Sequence, residues 1–275
     1  MRLRWAALVA LVLVLGVRGT SCRDRRPALR FATFNIEDFP KDQRQIDGAF
    51  AEIEALHVDF LAVQEITDPA KFAAEAVNRL GGAWQFAAID TAPPHPTHHL
   101  GVLFDTRRFT LVDVTSHDET RLGGRHKPTL EVRLRPAGGG EILRLLVVHL
   151  KAGGDEAQTR AQQLAALRTI IGYRKEHTIV LGDFNATSVL DRNNLRALSI
   201  DARLWWVTAR LACSSFWERD DGCFTARLDH VLMWYSPDDV EAAGACATEG
   251  CEWDEKCPIY ADEVSDHCPV VVTIH

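Results

Sequence analysis

The sequence predicts a single α/β domain built on mixed β-sheets. Three observations carry this. Short apolar runs with strand character alternate with segments of helical period in the first third of the chain. Hairpin-like runs follow, and then a further helix leads into more strands. No linker, repeat or low-complexity block divides the 275 residues, a length that suits one large domain or two small ones. A hydrophobic content of 47% with 25% charged residues is that of a globular protein.

The elements follow in order. Met1 to Ser21 reads as an export signal: Arg2 and Arg4 precede a 13-residue apolar run from Trp5 to Val17. A membrane span needs about 20 residues, so this run is short for one. Gly19 and Ser21 are small residues that suit cleavage before Cys22. Gly19-Thr20-Ser21-Cys22 also resembles a bacterial lipoprotein box, with Gly19 where Leu is usual, so lipidation of Cys22 stands beside plain release. Cys22 to Ala28 is a polar tether. Leu29 to Ile36 is a strand ending at Asn35, and Asp42 to His57 a helix with Ile46, Phe50 and Ile53 on one face. Val58 to Val63 is a buried strand ending at Gln64-Glu65. Asp68 caps a helix from Pro69 to about Leu80, which Gly81-Gly82 stops. Trp84 to Ile89 is a strand, and Thr91 to His99 a loop of prolines and histidines.

Leu100 to Phe104 and Phe109 to Val114 read as paired strands. A polar loop from Asp118 to Pro128 holds Arg121, Arg125, His126 and Lys127. Leu130 to Leu134 is a strand, and Ile142 to Leu150 a long one broken at His149. Thr159 to Tyr173 is an amphipathic helix, and Ile179 to Leu181 a buried strand. After Asn193 only Leu228 to Trp234 and Pro269 to Ile274 read clearly as strands.

Six of the seven cysteines fall between Cys213 and Cys268: Cys213, Cys223, Cys246, Cys251, Cys257 and Cys268. An even six in an exported chain predicts three disulfides of open connectivity, with Cys22 left over. The rival is a zinc cluster, but the spacings (9, 22, 4, 5 and 10 intervening residues) contain no C-x₂-C pair. The formal charge is −7, and without Met1 to Ser21 it becomes −10, from 28 basic and 38 acidic residues. That balance repels nucleic acid and anionic lipid at long range, though a bound metal ion or a local basic groove can reverse it.

Chemistry gathers where apolar runs end. Asp183 and Asn185 leave the strand at Ile179 to Leu181 two residues apart, so in an extended segment they face one side. Asn35, Glu65, His149, and Asp266 with His267 end other runs, and Asp229 opens one. Ligands of α/β sheets collect at such ends. Carboxylates, imidazoles and amides together suit metal-assisted hydrolysis of a phosphate ester.

Phe34-Asn35-Ile36, Gln64-Glu65, His149-Leu150, Gly182-Asp183-Phe184-Asn185, Leu228-Asp229-His230 and Ser265-Asp266-His267 occur in an order that resembles the endonuclease/exonuclease/phosphatase superfamily. That superfamily includes deoxyribonuclease I, AP endonucleases, neutral sphingomyelinases and inositol-phosphate phosphatases. The resemblance covers roughly residues 30 to 275 and implies a catalytic domain over residues 29–275. It implies a four-layer α/β sandwich, two mixed β-sheets packed face to face with helices outside. It further implies that Glu65 is the main Mg²⁺ or Mn²⁺ ligand, with Asn35 and Asp266 close to the ion. His267, oriented by Asp229, would be the general base or main transition-state partner. Asp183 would position water or shuttle a proton, while Asn185 and His149 hold phosphate oxygens. Arg125, Lys127, His98 and His99 are candidate substrate contacts.

There are departures. The acidic residue that orients the histidine matched by His149 in deoxyribonuclease-like members is replaced by His98-His99, and no basic residue follows Gln64-Glu65. The resulting expectation is an exported, monomeric, Mg²⁺-dependent phosphodiesterase acting on nucleic acid. A sphingomyelinase-like or small-molecule phosphoesterase is the alternative within the same chemistry. A surface binding module without catalysis is the alternative outside it. Asn185-Ala186-Thr187 also fits the N-glycosylation pattern, but a glycan there would block the proposed centre.

Overall fold

The computed structural model describes residues 29–89, 98–172 and 176–275. The export signal, the tether, Cys22 and most of the Thr91 to His99 loop lie outside the described residues.

Two six-stranded sheets form the body. The first contains β1 (Leu29–Phe39), β2 (Phe60–Ile66), β3 (Trp84–Ile89), β4 (His99–Asp105), β13 (Asp239–Ala242) and β14 (Val270–Ile274), in the order β13-β14-β1-β2-β4-β3. The second contains β5 (Phe109–His117), β6 (Thr129–Pro136), β7 (Leu143–His149), β8 (His177–Asp183), β9 (Trp205–Trp206) and β12 (Asp229–Met233), in the order β5-β6-β7-β8-β12-β9. A separate ribbon pairs β10 (Ser215–Arg219) with β11 (Gly222–Ala226).

Alternation along the strands builds the layers. Phe31, Phe60, Val102 and Phe104 of the first sheet meet Leu130, Val132, Leu145, Val147, Ile179, Leu181 and Val231 of the second in one apolar interior. The opposite face of the first sheet, with Ala32, Phe34 and Leu61, packs under α1 (Gln43–Leu56) and α2 (Pro69–Leu80). The opposite face of the second, with Leu146, Val148 and Val180, packs under α3 (Ala157–Ile171) and α4 (Val189–Ala202). The result is the expected four-layer sandwich.

Each sheet holds one parallel pair with a helical crossover: β1 and β2 joined by α1, and β7 and β8 joined by α3. Asp68 caps α2 as expected, accepting from the Lys71 N–H, with proline in the first turn.

One pairing expectation is overturned. Leu100 to Phe104 and Phe109 to Val114 do not pair with each other. β4 is already hydrogen-bonded along both edges, to β2 and to β3, so the chain turns at Asp105 to Arg108 and crosses to the second sheet. There β5 pairs with β6, and the Phe109 ring meets Phe60 across the interior at 5.8 Å.

The cysteines pair as Cys213–Cys251, Cys223–Cys257 and Cys246–Cys268, with Cα–Cα distances of 5.6, 4.8 and 6.0 Å. These distances suit disulfides. They staple the β10–β11 ribbon and the short helices α5 (Ala245–Thr248) and α6 (Ile259–Glu263) around a small core of their own. Each closes a loop and is expected to contribute about 2–4 kcal/mol. Thiol titration of denatured, unreduced protein should find none of these six reactive; six reactive thiols would overturn the pairing.

Candidate active site

The site caps the apolar interior at one end. On β7, Leu143, Leu145 and Val147 point between the sheets, and His149 is the next position of the same parity. On β8 the same count runs Ile179, Leu181, Asp183, and on β12 it runs back from Met233 and Val231 to Asp229. On β1, Phe31 and Thr33 lead to Asn35. Period-two alternation therefore carries four buried polar side chains to the mouth of one cleft.

Two of these positions need special backbone. Gly182 has φ of +136°, and a Cβ there would collide with the Val148 carbonyl, so only glycine lets β8 lie this close to β7. That approach sets Asp183 directly opposite His149. Glu65 breaks the parity of β2. It sits in a bulge between Val63 and Ile66 with φ of +61°, uncommon for a residue with a side chain. Bulges of this kind re-aim a side chain. Here the Glu65 carboxylate turns to accept from Asn35 Nδ2 at 3.0 Å.

Asp183 is the hub. Its carboxylate accepts from the Asn185 backbone N–H (2.8 Å), from Asn185 Nδ2 (3.0 Å) and, across the two sheets, from Asn35 Nδ2 (3.2 Å). His149 Nε2 lies 3.5 Å away on one side and His267 Nε2 3.9 Å away on the other. Burial pushes the Asp183 carboxyl up to about 7. His267 Nδ1 donates to Asp229 Oδ2 at 2.8 Å, which leaves Nε2 facing the cleft. Burial opposes the charge on His267, but Asp229, Asp266 and Asp183 outweigh it and raise the imidazole well above its ordinary range.

The serines flanking this pair explain part of the motif. Ser265 Oγ donates to the Asn35 carbonyl and accepts from the His267 N–H, joining β1 to the histidine loop. Ser214 Oγ donates to Asp229 Oδ2 at 2.8 Å and accepts from the Asp229 N–H. Ser214 carries no sequence signal; Ser265 stands inside the quoted motif.

The partner of His149, which His98-His99 left open in the sequence, is a cation. Lys127 Nζ lies 2.9 Å from His149 Nδ1, so the ammonium donates and the proton of a neutral ring stays on Nε2, towards Glu65 and Asp183. Burial, and then Lys127, push His149 well below the usual imidazole range. Lys127 thus belongs to the centre, whereas Arg125 lies exposed on its loop with Nε on the Leu122 carbonyl. Replacing Lys127 by Met should lower turnover about 10–100-fold, the usual loss for a group that orients a site residue, while Arg125→Ala stays near wild type. Equal, small losses in both would remove Lys127 from this role.

Carboxylates and imidazoles that could hold a metal ion gather in two groups that share Glu65: Asp38, Glu65 and His98, and Glu65, His149 and Asp183, each within 4.8 Å. His98 Nε2 meets Asp38 Oδ1 at 2.6 Å. Burial opposes ionisation of Glu65, yet His149, the Asn35 N–H and Lys127 hold its carboxyl at about 2. With His149 neutral, the Asn35 amide and Lys127 are the partners that matter at neutral pH. Burial raises Asp266 to about 6, with Glu37 and Glu65 adding repulsion. An ionised Glu65 beside a second carboxylate and an imidazole in each group fits a divalent cation with hard oxygen ligands. Of the three expected ligands, Glu65 is central. Asn35 turns Nδ2 to the carboxylates and Oδ1 to the Glu37 N–H, so as placed it clamps them. Asp266 belongs to neither group. His99 is drawn away, with its buried ring on the Ile89 carbonyl at 3.1 Å.

Fold and site together define a class, the α/β-sandwich hydrolases of phosphoester bonds. The chain belongs to the Endonuclease/Exonuclease/phosphatase family, which it matches over residues 32–267. Similar solved structures include a humanized D. rerio TDP2, with a TM-score of 0.67 at 16% identity, covering 90% of this chain and 98% of that one. D. rerio TDP2 with a single-strand DNA product gives 0.66 at 14%, covering 90% and 99%. The human Nocturnin catalytic domain with bound sulfate gives 0.64 at 19%, covering 90% and 93%. A Bacteroides thetaiotaomicron mannosyl-6-phosphatase gives 0.61 at 14%, covering 90% and 100%. At these identities the likeness is one of fold. No curated protein matches the chain in sequence.

Proposed function

We propose that this chain is a Mg²⁺- or Mn²⁺-dependent phosphodiesterase acting on nucleic acid. The observation that carries the reading is the meeting of Asn35, Glu65 and His267, from β1, β2 and the loop entering β14 of the first sheet, with His149, Asp183, Asn185 and Asp229 from the second. Support for nucleic acid comes from Lys127 at the centre, the basic loop around it, and the similarity to a structure holding a single-strand DNA product.

The residues divide the work by their protonation. His149 Nε2–H is a donor for phosphate oxygens as charge grows on them, whereas the Asn185 amide, expected in that role, spends both its N–H bonds on Asp183 and the Leu150 carbonyl and so positions Asp183. Asp183, hydrogen-bonded on both oxygens and lifted by burial, takes the proton of an attacking water at neutral pH. His267, held protonated by Asp229, offers Nε2–H to the same phosphate and neutralises its charge. Glu65, with Asp38 and His98, would hold the metal ion, which would supply Lewis-acid polarisation of the phosphoester.

The test is a panel of plasmid DNA, RNA, sphingomyelin and bis(p-nitrophenyl) phosphate. Excess EDTA should abolish hydrolysis, and Mg²⁺ or Mn²⁺ should restore it better than Zn²⁺. Full activity in EDTA would sink the mechanism. Hydrolysis of sphingomyelin or a small ester alone would move the substrate to the second reading, which the acidic balance of −7 favours. No turnover of any substrate would make the fold a binding module.

A further inference from the structure

A recess of about 1040 Å³ opens where the end of α1 meets the disulfide-held segment. None of the candidate catalytic residues lines it. One wall is Glu52, Ala55 and Leu56 of α1, and another is drawn from the stretch between Glu249 and Tyr260. That stretch is tied down before any ligand arrives. Cys251 and Cys257 are bonded to Cys213 and Cys223, and the Cys223 N–H donates to the Asp254 carbonyl at 2.8 Å. A preorganised wall lowers the ordering cost of binding.

The charges of the lining do not balance. Arg30 is engaged by Glu241 at 2.8 Å and by the Leu56 carbonyl at 2.9 Å. Among the described residues, Glu52, Glu249, Glu252 and Asp254 pair with no cation, and Lys256 is the one lining cation left to offset them. Glu52 is half-buried, and burial pushes its carboxyl above the usual range with nothing to pull it back. The Tyr260 hydroxyl is buried without a hydrogen-bond partner among the described residues. Burial, and then Glu52, push its phenol up, so it keeps its proton.

Apolar surface stands beside these groups. Trp253 is 57% exposed and Ile259 72% exposed. The indole rests on Gly222, which has φ of +127° and where a Cβ would meet Trp253 Nε1 at 2.6 Å. A metal ion does not match this lining. It needs several oxygens converging on one point, and among the described residues both clusters close enough for that contain Glu65. Unpaired carboxylates around an exposed indole and aliphatic carbon match positive charges joined by hydrocarbon, since an ammonium is attracted both to a carboxylate and to the face of an indole. A peptide would bring a backbone donor and acceptor with every residue, which indole and aliphatic surface cannot satisfy.

We propose that this recess is a binding site for a linear polyamine, an alkyl chain carrying several ammonium groups. One ammonium sits at Glu52 and the Tyr260 hydroxyl, another lies over the Trp253 indole, and the methylenes between them cover Ile259. The site is separate from the candidate active site and does not depend on the phosphodiesterase reading.

The experiment titrates spermine into the whole disulfide-bonded protein, metal-free and at low salt, by calorimetry. Spermine should bind more tightly than putrescine, and an equal concentration of Mg²⁺ should not displace it. Glu52→Gln should weaken spermine about tenfold, as for a lost bond between charged groups. Trp253→Leu should weaken it about threefold or more, as for a lost cation–π contact. Glu54→Gln, an exposed position of the same helix outside the recess, should stay within about twofold, because its charge is screened. Melting curves of the three variants check that each is folded. No binding of spermine, or equal small losses in all three variants, would overturn the proposal. So would a loss in Glu65→Gln with none in Glu52→Gln, which would put the cation in the candidate active site. Tighter binding of an octalysine peptide, with the same dependence on Glu52 and Trp253, would overturn the polyamine and make the recess a docking site for a basic protein segment.

Discussion

His267→Ala should lose at least ~10²-fold in turnover while the protein stays folded, the size expected for an acid–base or charge-stabilising group. The ring is buried, fixed through Nδ1 by Asp229 and anchored through its backbone N–H by Ser265. Only Nε2 faces Asp183 and Asp266, each at 3.9 Å. Removing the ring leaves Asp229 without its imidazole partner, so some stability is lost as well. Ser214 still donates to Asp229, which limits that loss. Asp229→Asn keeps the volume and should reduce turnover in the same direction by weakening the hold on the imidazolium. Turnover per folded molecule and the melting temperature, taken on one preparation, separate the two effects. A lowered melting temperature with near-normal turnover would make His267 a packing residue and would take Asp229 out of the site with it.

Arg144→Met should destabilise the fold by about 3–5 kcal/mol, the usual cost of breaking a buried ion pair from one side. Arg144 is fully buried. It donates to Glu131 Oε2 (2.8 Å) and to the carbonyls of Ile170 (2.8 Å) and Ile171 (3.0 Å) at the end of α3. One side chain thus closes the last turn of α3 onto β6 and β7. Its loss leaves the buried Glu131 carboxylate with His117 in place of a guanidinium and takes the donor from two helix-end carbonyls. Urea unfolding of Arg144→Met, and of the double variant Arg144→Met/Glu131→Gln, should show partial recovery in the pair. A single-variant loss below about 1 kcal/mol would mean that the pair is dispensable. The pH dependence carries the same sign. Burial would raise Glu131, but His117 and Arg144 hold its carboxyl at about 2, below its ordinary 4.5. The contribution is therefore complete above about 4.5 and is lost as pH falls towards 2.

Much of the site could be read from the sequence for a simple reason. Its residues are the next inward positions of apolar strands, so the end of each run in Phe31 to Asn35, Leu143 to His149 and Ile179 to Asp183 marks a candidate site residue. Glu65 could be named but not aimed, because its direction depends on a bulge and a left-handed backbone that no local pattern prescribes. Lys127 stood in a polar loop with three other basic residues, and only tertiary folding chooses which of them reaches His149. Helix α4 was passed over because it buries only Leu195 and Leu198 among its apolar residues, a weak stripe, although Ser188 and Asp191 spell a capping box. The ribbon, held by disulfides, and β13, held by β14, are short, and strand propensity over four or five residues cannot declare them. The pairing of β4 failed for a global reason: which edge is free depends on every other strand.

The two parallel pairs sit on separate plates, and Asn35 reaches Asp183 from one to the other. The interior between the plates then works as a gauge block. Its side chains set the height at which the two halves of the centre meet, so a cavity opened deep among Phe60, Val147 and Leu181 would be felt at the mouth as misalignment. A displacement of about 1 Å can cost about 10²-fold in rate. Residues that never approach a phosphate are in this sense part of the tolerance to which the catalyst is made.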